Sequence, residues 1–318
     1  MHYTTAFHKS NCKKCATMLE CAKVIIMKQQ LRGSIYLLLA TIIWGSTFVA
    51  QSVGMDYIGP FTFQAVRCGL AVVGLLPLIF IMDKKAGRSF RKEWANKQLW
   101  IGGLLCALPL FLAVNLQQFG IVSTGAGKSA FLTSMYIVIV PILGLFVKRK
   151  PSPMVPFSVT LAVIGFYLLS PQIQLGDILL LLCALMFAVQ IIFVDRFAPT
   201  VDALRLNCLQ AAFCAVASGV IALPTETVTV PNLLDCWLPL CYAGFLSMGA
   251  AYSLQIIGQK HLEPSAASLI MSLESVFAVL CGWLLLGETM TKWEATGCIL
   301  VFAAVILSQI NIPTKKRS

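Results

Sequence analysis

Residues 99–121 read LWIGGLLCALPLFLAVNLQQFGI, and residues 237–258 read WLPLCYAGFLSMGAAYSLQIIG. Each is an apolar run long enough to cross bilayer hydrocarbon, which takes about 20 helical residues. At a spacing of 138 residues, Leu108, Ala113, Leu116, Gln117 and Gly120 fall on Leu246, Ala251, Leu254, Gln255 and Gly258. The match continues without a gap, as Ser134, Val138, Gly144, Val163, Leu169 and Ser170 meet Ser272, Val276, Gly282, Val301, Leu307 and Ser308. Leu31-Arg-Gly-Ser-Ile and Gln174-Leu-Gly-Asp-Ile also pair, near the start of each half. The chain therefore reads as two copies of one unit.

The rest of the sequence is of the same kind. Of its 318 residues, 58% are hydrophobic and only 12% charged, about half the charge of a soluble domain. That leaves too little polar surface for a water-soluble globule, so the lipid bilayer is the solvent. We read spans at 33–53, 61–82, 99–121, 126–147, 154–170, 177–194, 204–223, 237–258, 264–286 and 293–310. The fold class expected is all-α integral membrane, about ten transmembrane helices in two inverted five-helix repeats. The odd number of helices per copy reverses the second copy across the bilayer. Residues 1–26 are expected to be a disordered N-terminal extension before Met27, and 27–171 and 174–310 to be the two repeats. Residues 311–318 would be a basic cytoplasmic tail.

The net charge of +11 raises nucleic acid as a partner, but its placement argues for topology instead. With a cytoplasmic N-terminus, every Lys and Arg except Lys128, Lys292 and Arg67 falls on the inner side. This obeys the positive-inside rule and puts both termini in the cytoplasm of a multi-pass cell-membrane protein. The cysteines in the spans, mostly isolated, read as small hydrophobes. The composition points to no metal or organic cofactor.

Several short motifs, in order and on the right helices, resemble the drug/metabolite transporter superfamily, specifically its ten-helix EamA-type branch. Span one carries Trp44-Gly-Ser-Thr-Phe48, similar to the family's W-G-x-x-F. Span two carries Phe63-Gln-Ala-Val-Arg67, similar to F-x-x-x-R. Span nine carries Leu273-Glu-Ser-Val-Phe-Ala278 and then Leu286-Gly-Glu288, similar to L-E-P-V-x-A and L-G-E, with Ser275 where the pattern usually has proline. The resemblance covers Met27 to Gln309. It implies export or exchange of amino acids and other small metabolites without ATP hydrolysis.

A charge near the bilayer centre costs at least ~2.5 kcal/mol, so an intramembrane charge is a functional candidate by default. Arg67 and Glu274 qualify, and Glu274 is the candidate for proton coupling. Neutral polar and aromatic residues in the spans would line a substrate site: Trp44, Thr47, Asn115, Gln117, Tyr136, Gln190, Gln210, Tyr252 and Gln255, with Ser46, Gln51 and Asn207 as further candidates. Amides donate and accept, which suits zwitterionic or polyhydroxylated ligands. The competing role for each is interhelical hydrogen bonding. Glu288, at the outer end of span nine, reads as a solvated or capping residue.

Ala211, Ala215 and Gly219 form a small-residue stripe. It serves either packing within the chain or a homodimer face.

The expected function is secondary active transport of a small-molecule substrate, by alternating access at the repeat interface. The alternatives are a membrane sensor or assembly factor that keeps the fold, and, less favoured, an integral membrane enzyme. An enzyme would need acid, base or metal groups, but His2, His8 and His261 all lie outside the spans.

Overall fold

The computed structural model describes residues 4–145, 154–169, 172–262 and 264–309. All regular structure among them is helical. Eight helices are long and apolar enough to cross a membrane. They are α1 (Thr4–Gly54, its apolar part from Met27), α2 (Pro60–Ala86), α3 (Lys97–Thr124) and α4 (Ala126–Gly144), and then α6 (Leu175–Phe197), α7 (Ala203–Thr225), α8 (Trp237–Gln259) and α9 (Ala266–Leu286). The fifth and tenth expected spans are the helices α5 (Val155–Leu169) and α10 (Lys292–Gln309), which are shorter and pack along each other. At 1.5 Å per residue, the described part of α5 covers roughly 22 Å. The expected basic tail, 311–318, lies outside the described residues.

The backbone of residues 4–26, expected as a disordered extension, is helical and continuous with α1. No proline or glycine interrupts the sequence between Thr4 and Arg32, so nothing local stops the helix there.

Burial is inverted relative to a soluble protein. Leu223, Val216, Leu284 and Leu285 face outward, while Arg67, Gln64, Gln118, Asn207 and Gln210 are buried. An apolar outer surface around a polar interior is what lipid solvation selects. The cysteines described are free, and most are buried.

The two copies repeat at the level of single contacts. A Cβ on Gly33 would stand 2.9 Å from the Gly258 carbonyl oxygen, so α1 and α8 cross backbone to backbone at the Met27 end of the bundle. A Cβ on Gly176 would stand 3.2 Å from the Gly120 carbonyl oxygen, so α6 and α3 do the same at the Gly54 end. These are matching glycines of the two halves. A Cβ would be all but excluded at Gly33 and tightly crowded at Gly176.

Gly33 and Gly176 are 143 positions apart, as are the starts of α2 and α7. The same spacing places Thr62 on Arg205 and Asp83 on Glu226. The contacts cross between these counterparts, Asp83 with Arg205 and Thr62 with Glu226, at opposite ends of the antiparallel α2–α7 pair. At the Met27 end the Asp83 carboxylate bonds the Arg205 guanidinium, with both side chains buried. Asp202 and Arg88 complete this network. At the Gly54 end Glu226 accepts from the Phe61 N–H at 2.9 Å and from the Thr62 N–H and hydroxyl at 2.8 and 2.7 Å. There it satisfies the free donors of the α2 N-terminus.

Glu288 does the same for α4, accepting from the Ala126 and Gly127 N–H groups at 2.8 and 3.0 Å. The capping role expected for Glu288 is the one observed. The Ala211, Ala215 and Gly219 stripe is taken up inside the chain. Ala211 and Ala215 pack with Cys68 and Ala71, and Gly219 faces Ala65 of α2.

Candidate functional site

A cavity opens where the two copies meet. Seven helices line it. Helix α1 contributes Trp44, Thr47, Phe48 and Gln51, α2 contributes Arg67, α3 contributes Gln117, and α4 contributes Tyr136. Phe187 and Ile191 come from α6, Ser247, Tyr252 and Gln255 from α8, and Met271 and Glu274 from α9. Eight of the expected substrate residues thus converge: Trp44, Thr47, Arg67, Gln117, Tyr136, Tyr252, Gln255 and Glu274.

The other three serve the frame. Asn115 donates to the Phe111 carbonyl at 2.8 Å and to Ser218 Oγ at 3.2 Å, tying α3 to α7. Gln190 and Gln210 are fully buried and bond each other at 3.1 Å. Gln190 also accepts from Gln255 at 3.4 Å, so these two amides stand behind the cavity wall. Of the further candidates, Gln51 lines the cavity. Ser46 bonds the Tyr242 hydroxyl, and Asn207 donates to carbonyls of α8.

The apolar lining was not read from the sequence, but the repeat spacing could have found part of it. Phe187 and Ile191 are the counterparts, 143 residues on, of Trp44 and Phe48.

Local chain breaks place the central groups. Helix α4 is interrupted at Ser134–Met135, and α9 at Ser272, its repeat counterpart. Ser134 Oγ bonds the Ala130 carbonyl at 2.8 Å, and Ser272 Oγ bonds the Leu269 carbonyl at 2.6 Å. Around each break the backbone bonds tighten to i→i−3, as in Ile137 N–H to Ser134 and Ser275 N–H to Ser272. Such hydroxyls compete with the helical pattern and bend it. Two residues past each break stand Tyr136 and Glu274, also counterparts. Both line the cavity. Gln117 and Gln255, another counterpart pair, line the same space. In α8 the wall carrying Ser247 is a π-helical stretch, Tyr242–Ala251, a distortion often found at functional sites.

The two charges do not pair. Arg67 Nε bonds Gln64 Oε1 at 2.6 Å and its Nη1 bonds Gln51 Oε1 at 3.1 Å. Gln64 is held in turn by Gln118 and the Val114 carbonyl, and Gln118 by the Gln51 carbonyl. Across the cavity Glu274 Oε1 is buried without a hydrogen-bond partner, and so are Gln255 Oε1 and Trp44 Nε1. Buried polar atoms are almost always bonded, so a bare set lining one cavity calls for a ligand or water.

Inverted helical repeats around a polar, partly unsatisfied cavity define an integral membrane protein of the transporter class. The EamA-like transporter family matches the chain twice, over residues 31–170 and 174–309, and the chain belongs to that family. It is a multi-pass membrane transporter. An uncharacterized transporter of Archaeoglobus fulgidus is 31% identical over 306 residues, covering 91% of this chain and 92% of that protein. The uncharacterized transporter YoaV of Bacillus subtilis is 23% identical over 87% of this chain and 96% of its own length. A crystal structure 15% identical in sequence superimposes with a TM-score of 0.65, covering 87% of this chain and 97% of its own, a likeness of fold.

Proposed function

We propose that this protein is a secondary active transporter of small polar metabolites, amino acids or similar molecules, acting as an exporter or exchanger by alternating access. The carrying observation is the cavity at the meeting of the two copies, where Trp44 Nε1, Gln255 Oε1 and Glu274 Oε1 are buried and unpartnered. Polar atoms left bare in a bilayer are costly unless a ligand visits them.

Three features favour movement. The antiparallel counterparts can exchange conformations, and the breaks at Ser134 and Ser272 are natural hinge points. The Glu226 and Glu288 caps are polar contacts at the Gly54 end that can part and re-form. In this reading the Gly54 end faces outward from the cell membrane, and both termini are cytoplasmic. Glu274 is the proton-coupling group. It is a carboxyl lining the cavity beside Tyr136, and among the described residues no cation is paired to it.

The test is counterflow in proteoliposomes loaded with mixed amino acids and common metabolites, for wild type and Glu274→Gln. Saturable exchange of one chemical class is expected. Glu274→Gln should keep exchange and lose its response to a pH gradient. An unchanged pH response removes the coupling role, and no exchange from folded protein removes the transport reading.

A further inference from the structure

Arg67 is 2% exposed, lies within a membrane helix and lines the cavity. No ion pair joins it to Glu274 or to any other carboxylate among the described residues. Its hydrogen-bond partners are the neutral amide oxygens of Gln64 and Gln51, bonded through Nε and Nη1, and its guanidinium carbon lies 5.8 Å from the centre of the Phe63 ring. These dipoles fix the guanidinium plane without neutralising it. Among the described residues no hydrogen bond from Nη2 to the protein is seen. A second donor in the same cavity, Trp44 Nε1, is buried and bare. A buried cation is strongly disfavoured without a counter-charge, and no carboxylate among the described residues is ion-paired with this one. The tight amide cradle removes the alternative in which Arg67 swings away to find one.

Resting on the transport reading above, we infer that the transported molecule carries an anionic group, a carboxylate or an equivalent oxyanion, docked on Arg67 Nη2 and Trp44 Nε1. The substrate completes the ion pair that the protein leaves open. Arg67 and Trp44 are then specificity-determining residues, and Gln51, Gln64 and Gln118 are positioning residues that aim the guanidinium. The bare acceptors Gln255 Oε1 and Glu274 Oε1 receive donors from elsewhere on the same molecule. A guanidinium suits this role because its planar fork and permanent charge match an oxyanion.

The test uses the purified full-length protein and matched probes: α-amino, hydroxy and keto acids, each beside its own carboxamide. Thermal unfolding reads binding, and counterflow with the same pairs reads transport. Some of the acids should raise the unfolding midpoint while their carboxamides do not. Arg67→Gln should abolish that preference and Arg67→Lys should keep part of it. Trp44→Phe, which keeps the ring and loses the N–H, should weaken acid binding about tenfold. Should Arg67→Gln fail to fold, Trp44→Phe and Arg67→Lys carry the test. Carboxamides as effective as acids, no stabilisation by any acid, or an Arg67→Gln protein that still prefers acids would each overturn the proposal. Acid-selective binding without counterflow would remove the transport reading and leave the anion site standing. Counterflow blind to the acid–amide difference would do the reverse.

Discussion

The two copies agree where they hold the bundle together and differ where they face the cavity. Gly33 meets Gly258 as Gly176 meets Gly120, and Asp83 meets Arg205 where Glu226 meets Thr62. In the cavity the agreement stops at the charges. The counterpart of Arg67 is Gln210, a neutral amide bonded to Gln190 behind the wall. The counterpart of Glu274 is Tyr136. Shape is thus shared between the halves, because both must make the same helix crossings from opposite sides. Charge is not shared: Arg67 and Glu274 each have a neutral counterpart in the other half.

This comparison can be broken in the frame. The largest effect is expected at Asp83. Asp83→Ala leaves Arg205 buried and charged without its main partner, which should cost about 3–5 kcal/mol. Thermal unfolding in detergent reads this, and a change under 1 kcal/mol would mean that water reaches the site.

The glycine crossings come next. Gly258→Ala and Gly120→Ala each push a Cβ into an opposing helix and should cost about 1–3 kcal/mol. Comparable losses in the two halves would sharpen the symmetry, while a loss in one alone would break it.

The smallest expected effect is at Glu226, the counterpart of Asp83. Its role is a helix cap, so Glu226→Ala should cost about 0.5–2 kcal/mol. Midpoints of the Asp83→Ala and Glu226→Ala proteins, measured side by side, check the order. Equal losses would show that the two ends of α2–α7 are held by equivalent energies after all.

Much of the fold was legible beforehand. The spans follow from the length of the apolar runs, and the repeat from identities such as Gln117/Gln255 and Gly120/Gly258. Most of the cavity's polar residues were legible too, since a polar side chain inside an apolar span has few places to go. Asn115, Gln190 and Gln210 show the limit of that rule, because interhelical bonding and ligand binding call for the same residue types. Glu226 carried no signal at all. It lies after α7 in sequence, and its cap on α2 is a contact across 164 residues.

The sequence by itself determined that the chain lives in lipid, how its helices are spaced and that it is built twice. These are properties of hydrophobic length and repetition, which are local along the chain. Only the tertiary structure decided which polar residues share one cavity, that Arg67 is cradled by Gln51 and Gln64 rather than paired with Glu274, and that Trp44, Gln255 and Glu274 keep bare atoms. Those outcomes depend on which helices touch and at what depth. In a bilayer they are fixed by close contacts such as Gly33–Gly258, which the hydrophobic pattern does not encode.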